Sequence, residues 1–165
     1  MKSKAVAKSG WQKPDNSEAW LRKWLLSRAQ QITWIEAAPG GTVGAPDALV
    51  HIAAGELCGH QKVGGLLLPL ELKRAESARI KGALRFRCKI RPPQRLWHDQ
   101  CRALGIRTAY LVTTTIQTES VVLAFPGKWG EALGSTGGAP FSAALRLSDR
   151  HCDFAMSLMA NDFWG

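Results

Sequence analysis

The amino-acid sequence predicts an α/β protein built on a central mixed β-sheet flanked by helices. Apolar residues recur at helical spacing over residues 18–30 and again over 92–104. Two apolar runs, residues 48–54 and 66–73, border glycine-containing segments and are typical of strands. A third run, residues 106–115, follows the second helical pattern. Because a helix joins them, strands 66–73 and 106–115 are expected to pair in parallel.

The first helix is predicted to follow the cap-type residues Asp15 to Ser17 and to run to about Gln30. Glu18 lies in its first turn, where a carboxylate complements the positive end of the helix dipole. Residues 32–36 predict the first strand, with Glu36 at its end. The glycine-containing loop that follows lacks the Walker A pattern, so we interpret it as a flexible approach to Asp47.

Charged side chains stand where two adjacent predicted strands meet. Asp47 precedes strand 48–54, and Glu71 and Lys73 close strand 66–73. Residues i and i+2 of a strand share a face, so Glu71 and Lys73 are expected to project together. If the two strands pair, Asp47 lies beside Glu71, and two carboxylates can hold Mg²⁺ with water and phosphate at its remaining positions. Pro69 cannot donate to a ladder, which predicts an edge, a bulge or an unpaired position just before Glu71.

The chain is strongly basic, with a formal charge of +9, which favours a polyanionic partner such as nucleic acid. Nine lysines and arginines but only one acid, Glu76, lie between residues 73 and 95. Residues 84–91 alternate apolar and cationic, which predicts an extended segment with one cationic face. We interpret it as a contact surface for DNA phosphates rather than a merely solvated face. The candidate DNA-binding residues are Arg74, Arg79, Lys81, Arg85, Arg87, Lys89, Arg91 and Arg95.

The length of 165 residues suits one compact domain with additions at both ends. Residues 1–13 are predicted to form a basic flexible tail, and residues 14–126 form the core. A short helix is expected at 118–125. Residues 127–165 are predicted to be a glycine-rich linker and a C-terminal helical extension packed on the core. The helical pieces of that extension are expected at 141–147 and 149–159.

No apolar run approaches the roughly 20 residues needed to cross a bilayer, and the basic start lacks the apolar stretch of a signal peptide. A cytoplasmic protein without a membrane partner is therefore expected. The four cysteines form no CxxC pair, so their spacing argues against a structural zinc site and for reduced thiols.

The order Pro46-Asp47, about two dozen residues, then Glu71-Leu72-Lys73 resembles the PD-(D/E)XK nuclease superfamily. The flanking segments Gly44 to Asp47 and Arg91 to Trp97 are similar to its small phage-type VRR-Nuc and Holliday junction resolvase branches. The resemblance spans residues 16–115. It implies a restriction-endonuclease-like core and a Mg²⁺-dependent DNA endonuclease, with Mn²⁺ able to substitute for Mg²⁺.

The resemblance also implies roles for individual residues. Asp47, Glu71 and the backbone carbonyl of Leu72 would be metal ligands, and Lys73 would orient or activate the attacking water. Glu18 matches a glutamate on the first helix that completes the metal site in the resolvase branch, and Glu36 is its rival for that position. A further candidate catalytic residue, Gln94, lies in the first turn of the helix that starts at Pro92-Pro93.

The substrate stays open at this point. Branched DNA such as a Holliday junction is the first expectation, and a homodimer would then be expected because junction resolution needs paired cuts. A nicking, homing or end-processing nuclease of the same superfamily is the alternative within enzymes. The alternatives outside enzymes are a non-catalytic basic DNA-binding or packaging protein, and a protein that binds a membrane surface or a partner through charge and tryptophans.

Overall fold

The computed structural model describes residues 10–28, 31–35, 44–52, 55–57, 61–63, 65–147 and 161–164. The helices in these ranges are α1 (Glu18–Leu26), α2 (Pro92–Ala103), α3 (Gly130–Leu133) and α4 (Asn161–Trp164). Short 3-10 helices span Gly127–Trp129 and Phe141–Ala143. The strands are β1 (Gln31–Trp34), β2 (Ala48–Ile52), β3 (Gly55–Leu57), β4 (Gln61–Val63), β5 (Leu66–Arg74), β6 (Glu76–Ile80), β7 (Ala83–Arg87), β8 (Ala109–Ile116), β9 (Glu119–Pro126), β10 (Ala139–Pro140) and β11 (Leu145–Arg146).

The central sheet of the described chain has six strands in the order β1-β2-β5-β8-β9-β11. Strands β5 and β8 are parallel, and the other neighbouring pairs are antiparallel. The parallel pair is joined by a connection that contains α2, as a parallel pairing requires. The predicted α/β class with a mixed central sheet is therefore confirmed. A smaller sheet has the order β10-β7-β6, and β3 and β4 form a two-stranded ribbon between β2 and β5 in the sequence.

The central sheet is covered on both faces. On one face, Leu70 and Leu72 of β5 pack in a buried cluster with Leu21 and Leu25 of α1. On the other face, a second buried cluster joins β8 and β9 to Phe86 of β7 and to the α3 region. Covering both faces makes the central strands continuously apolar instead of alternating, which is why β8 and β9 are buried along most of their length.

Helix α1 begins at a polar cap, because the Ser17 hydroxyl accepts the backbone N–H of Trp20 at 3.0 Å. The predicted start of the helix is confirmed. The helix ends at Leu26, earlier than the predicted end near Gln30, with Ser27 at its C-terminal cap. Leu25 is fully buried, whereas the adjacent Leu26 is 54% exposed. This contrast defines which face of α1 packs on the sheet.

The helix predicted at 118–125 is wrong, because these residues belong to strand β9. Ile116 pairs with Glu119, so a two-residue turn connects β8 to β9. Gln117 has φ +58° in this turn, the left-handed conformation that tight hairpin turns require. The β-branched Val121 and Val122 fit a strand buried on both faces better than a helix.

The glycine-rich segment after β9 is wrongly predicted as a linker, because the structure packs it into the fold. Leu133 and Ala139 are fully buried in the second core cluster. Strand β10 pairs with β7, and β11 extends the central sheet beside β9. Residues 141–147, predicted as helical, form a 3-10 turn followed by β11. The helix predicted at 149–159 lies outside the described residues.

The described part of the N-terminal segment is fixed to the small sheet. Trp11 is buried, and Gln12 exchanges backbone hydrogen bonds with Ser77 at 2.7 and 3.0 Å. The end of the segment predicted as a basic tail is thus held in place, whereas residues 1–9 lie outside the described ranges. No helix in the described residues combines the length and apolar character needed to span a bilayer.

Two adjacent leucines test the packing of α1. We expect Leu25→Ala to lower the free energy of unfolding by about 2–5 kcal/mol, because it leaves a cavity in a fully buried cluster. The matched Leu26→Ala change removes an exposed side chain and is expected to cost no more than about 0.5 kcal/mol. Urea denaturation followed by circular dichroism measures both. Equal losses would contradict the orientation of α1.

Candidate active site

The candidate site lies where β2 and β5 diverge. Their last paired residues are Ala48 and Leu70. Beyond this pair, a side chain takes the place of the backbone-to-backbone hydrogen bonds. The Oδ2 of Asp47 accepts the backbone N–H of Leu72 at 2.8 Å. The N–H and C=O groups of one strand residue project to the same edge, so the Leu72 carbonyl also faces the Asp47 side. A hydrogen bond from the β5 backbone therefore holds Asp47 beside this strand, where the sequence predicts it.

Pro69 fits this arrangement without a bulge. The register between β2 and β5 runs unbroken through the pair Leu49–Pro69. Because the Leu72 N–H points toward β2, the nitrogen of Pro69, three residues earlier, faces β8. Pairing with β8 begins only at Leu70. Pro69 is thus paired with Leu49 on its β2 side, and its nitrogen is unpaired on the β8 side just before Glu71, so the structure supports the unpaired option only for that side.

Glu71 and Lys73 project from the same face of β5, as predicted. The Lys73 Nζ lies 3.0 Å from Glu71 Oε1, and the two side chains are 14% and 1% exposed. The intervening Leu72 turns to the opposite face and packs against α1. The buried salt bridge and the apolar cluster thus lie on opposite sides of one strand.

Helix α2 brings Gln94 to the same carboxylate. Its Nε2 donates to Glu71 Oε1, and its Oε1 accepts the backbone N–H of Arg91 at 3.0 Å. Gly44 lets the segment before Asp47 approach this helix start, because a Cβ on Gly44 would lie 2.4 Å from the Pro93 carbonyl oxygen. The predicted proximity of Gln94 to Glu71 is observed, and the chain before Asp47 packs against the same turn.

Burial gives Glu71 unusual acid–base behaviour. Desolvation is the main reason that its pKa rises from 4.5 to about 7, and the Asp47 carboxylate raises it as well. The Lys73 ammonium lowers the pKa and offsets part of this rise. Close to neutral pH, a large fraction of the metal-free molecules therefore carries a protonated Glu71.

The second oxygen of Glu71 identifies where a cation fits. Oε1 accepts from Gln94 and Lys73, whereas Oε2 is buried and has no hydrogen-bond partner in the described part of the chain. A buried oxygen of this kind needs a proton or a cation to offset its desolvation. The oxygen donors of Asp47, Glu71 and the Leu72 carbonyl suit a hard ion such as Mg²⁺, which binds through one or two carboxylates and keeps several waters. The residues present therefore fit the expected metal.

A third acidic ligand is not part of this arrangement. Among the described residues, no three His, Cys, Asp or Glu side chains converge on one point that could hold a metal ion. Glu18 is exposed at the start of α1, and its charge makes the smallest of the contributions that raise the pKa of Glu71. Glu18 thus lies within electrostatic range without joining the two carboxylates. Its rival Glu36 lies outside the described residues.

The candidate DNA-binding cations do not share one face. Arg79 pairs with Leu84 across the β6–β7 hairpin, whereas Arg85 pairs with Ala78, so the two arginines project from opposite faces. Several of these side chains bond within the protein: Arg74 to the carbonyls of Pro14 and Asn16, Arg85 to the carbonyl of Gly138, and Arg87 to Glu76. Arg79 is exposed and donates to the carbonyl of Gly82 at 3.4 Å. The remaining exposed members are Lys81 in the β6–β7 turn, Lys89 after β7, and Arg91 and Arg95 at the start of α2.

A buried polar cluster beside Glu71 was not predicted from the sequence. Tyr110 pairs with Glu71 across β5 and β8, and its ring lies 4.2 Å from that of His98 on α2. His98 Nδ1 lies 2.5 Å from the hydroxyl oxygen of Thr108. Burial lowers the pKa of His98 to about 4, so the ring is neutral at pH 7. These contacts hold α2, and with it Gln94, against β8.

The raised pKa of Glu71 predicts a stability change with pH. The unfolded chain releases this proton near pH 4.5 and the metal-free folded protein near 7, so the folded state binds more protons between these values. Stability is therefore expected to fall as pH rises through this window. Glu71→Gln removes the titration, so the stability of the native sequence relative to this variant should fall by roughly 3 kcal/mol between pH 5 and 8.

Urea midpoints measured across this range in a chelating buffer give the difference directly. Glu131→Gln serves as the control, because Glu131 is exposed on α3. A stability difference between Glu71→Gln and the native sequence that changes no more with pH than that of Glu131→Gln would contradict a raised pKa at Glu71.

The chain was compared with protein-family models, with curated proteins and with solved structures, and none of them matches it. The resemblance to PD-(D/E)XK nucleases therefore stays an expectation from the sequence. What the protein does has to be argued from the geometry of Asp47, Glu71 and Lys73.

Proposed function

We propose that this protein is a Mg²⁺-dependent DNA endonuclease with a restriction-endonuclease-like core. One observation carries the proposal: Asp47, Glu71 and Lys73 meet where β2 and β5 diverge, and a buried Glu71 oxygen there has no hydrogen-bond partner among the described residues. A structural salt bridge alone would not need a second carboxylate beside it. The order of these residues along the chain also matches the superfamily pattern.

Asp47, Glu71 and the Leu72 carbonyl would hold the Mg²⁺ ion in this proposal. When bound, the ion polarises a phosphoryl oxygen and lowers the pKa of a bound water. Gln94 contributes by keeping Glu71 Oε1 engaged, which leaves Oε2 as the oxygen that faces a cation. The Leu72 N–H likewise fixes Asp47 through Oδ2.

Lys73 would act directly on the reacting phosphate. Its ammonium is anchored by Glu71 at 3.0 Å and is partly exposed, so it can still donate to a substrate oxygen or to the attacking water. Developing negative charge in the transition state would be stabilised by this fixed cation. Because Glu71 holds it in place, little reorganisation is needed when the substrate arrives.

DNA is the proposed substrate because the formal charge of +9 is accompanied by exposed cations near the site, including Lys89, Arg91 and Arg95. Structure-specific cleavage of branched DNA is our first proposal, followed by nicking, homing or end-processing activity. We propose a homodimer only for junction resolution, and action in the cytoplasm, that of the host if a phage encodes the protein.

A non-catalytic DNA-binding protein is the second candidate. Asp47 already has a structural role as the acceptor of the Leu72 N–H, and Glu71 is 1% exposed. Both observations are compatible with a site that stabilises the fold but no longer turns over substrate. This candidate predicts DNA binding without cleavage in Mg²⁺ or Mn²⁺.

Two substitutions test the enzyme proposal. Asp47→Asn keeps an oxygen that can accept the Leu72 N–H but removes a charged ligand, and Lys73→Met keeps the apolar stem but removes the ammonium. We expect each to slow cleavage by at least about 100-fold, as removal of a transition-state contact does. The assay uses four-way junction, flap, nicked duplex, linear duplex and single-stranded DNA with Mg²⁺ or Mn²⁺.

Glu131→Gln should cleave at the native rate, and urea midpoints should show that all three variants fold. Chelation should abolish cleavage, and added Mg²⁺ or Mn²⁺ should restore it. If the native protein binds these DNAs but cleaves none of them with either ion, the enzyme proposal fails and the non-catalytic candidate replaces it.

A further inference from the structure

A basic cleft lies next to the candidate active site. It has a volume of about 480 Å³, within the usual range of roughly 300–1,000 Å³ for ligand sites. It runs between the N-terminal segment, the end of β5, the β6–β7 hairpin and the turn after α3. The residues that line it include Lys13, Arg74, Glu76, Arg87, Lys89 and Thr136.

The cleft carries more positive charge than the acid in its lining can neutralise. Four of its lining residues are cationic, and the single acid, Glu76, is paired with the Nε of Arg87 at 2.8 Å. Lys13 and Lys89 are both exposed, and both line the cleft. Two exposed ammonium groups that face a shared space favour an anion between them.

Contacts within the protein already fix two arginine side chains of the cleft before any ligand binds. Arg74 donates from Nε to the Asn16 carbonyl and from one terminal nitrogen to the Pro14 carbonyl, both at 2.9 Å. The Arg87 guanidinium stacks on the buried Trp11 ring at 4.3 Å. Such fixed guanidinium groups lose little conformational entropy when they bind a phosphate.

The N-terminal segment forms one wall of the cleft because β6 and Arg74 hold it. Gln12 pairs with Ser77 through the backbone, which places Lys13 beside the cleft. A fully mobile tail would offer its lysines at no defined position. The anchored segment instead presents Lys13 to the cleft that Lys89 also lines.

The cleft lies close to the candidate active site near the end of β5. Arg74 follows Lys73 on β5 but projects from the opposite face, whereas Cys88 lines the cleft and lies within range of the charges of Lys73 and Glu71. A strand whose phosphate is attacked at Lys73 can therefore place a neighbouring phosphate in the cleft. Apart from the paired Glu76, the charged residues that line the cleft are all cationic.

We propose that this cleft binds a phosphodiester of the DNA strand next to the bond cut at the active site, with Lys13 and Lys89 as its two exposed cationic contacts. The assignment to a neighbouring phosphate rests on the proposed nuclease function. The binding of a phosphodiester itself rests only on the charge and shape of the cleft.

The salt dependence of DNA binding tests the two lysines. Fluorescence anisotropy with a labelled duplex in chelating buffer measures affinity without cleavage. Lys13→Gln and Lys89→Gln should each weaken binding by about fivefold and lower the slope of log K against log salt by about 1. Lys23→Gln removes the same charge from the exposed side of α1 and should change neither. If the cleft variants lose no more than Lys23→Gln, the proposal is overturned.

Neutral linkages then locate the contact. Methylphosphonate replaces one phosphate at a time around the position that the native protein cuts. A neutral linkage next to that position should weaken binding of the native protein about tenfold, since two lysines lose their partner, and should have little effect on Lys13→Gln/Lys89→Gln. Equal losses in both proteins would overturn the assignment.

These results separate the two proposals. Native cleavage with unchanged salt slopes in the lysine variants would overturn the cleft and leave the nuclease proposal standing. Reduced slopes in a protein that cuts no DNA would overturn the nuclease proposal and the neighbouring-phosphate assignment, while supporting phosphodiester binding in the cleft.

Discussion

Burying a carboxylate is costly unless nearby charge and hydrogen bonds compensate for it, and Glu71 is only 1% exposed. The compensation comes from two directions. Lys73 supplies a cation from the same strand, and Gln94 supplies an amide donor from α2. This compensation is incomplete, because Glu71 Oε2 has no hydrogen-bond partner in the ranges that the structure describes and Asp47 adds a second negative charge. The raised pKa of Glu71 is the consequence, and a divalent cation would relieve it.

The fold supplies the geometry for this site. Pairing of β2 with β5 stops at Ala48, and the parallel pairing with β8 begins at Leu70, so the backbone around Glu71 changes partners there. The connection from β5 to β8 includes α2, which returns Gln94 to the start of the parallel pair. His98, one turn further along the same face of α2, packs on Tyr110 and helps to fix that helix. The site thus depends on the change from antiparallel to parallel pairing.

Much of the fold and of the candidate site could be predicted from local patterns in the sequence. The alternation of strand residues places Glu71 with Lys73 and turns Leu72 to the opposite face. The paired prolines before Gln94 specify the start of α2, and the intervening helix specifies parallel pairing of β5 and β8. These features follow from residues close together in sequence, which is why the α/β class and the central part of the site were accessible.

Features that depend on contacts between residues far apart in the sequence could not be predicted. Strand β9 was predicted as a helix, because a short apolar run has no decisive period and only its hairpin with β8 makes it a strand. The glycines of residues 127–138 indicate a linker, but Gly127 and Gly130 pack where a Cβ would meet Thr108 and Tyr110 at 2.2 and 2.5 Å. The cleft depends on Arg74 anchoring the N-terminal segment about 60 residues away, and no local pattern encodes that contact.

Metal binding coupled to proton release is the most direct test of the central claim, that Asp47 and Glu71 form a divalent-cation site. Calorimetric titration with Mn²⁺ in two buffers of different ionisation enthalpy gives the protons released per ion bound. With the Glu71 pKa near 7, we predict about half a proton released at pH 7, nearly one at pH 5.5 and almost none at pH 8.5. Binding of Mn²⁺ to Glu71→Gln should be at least about tenfold weaker. Absence of saturable binding, or equal affinity and proton release in the variant, would contradict the account.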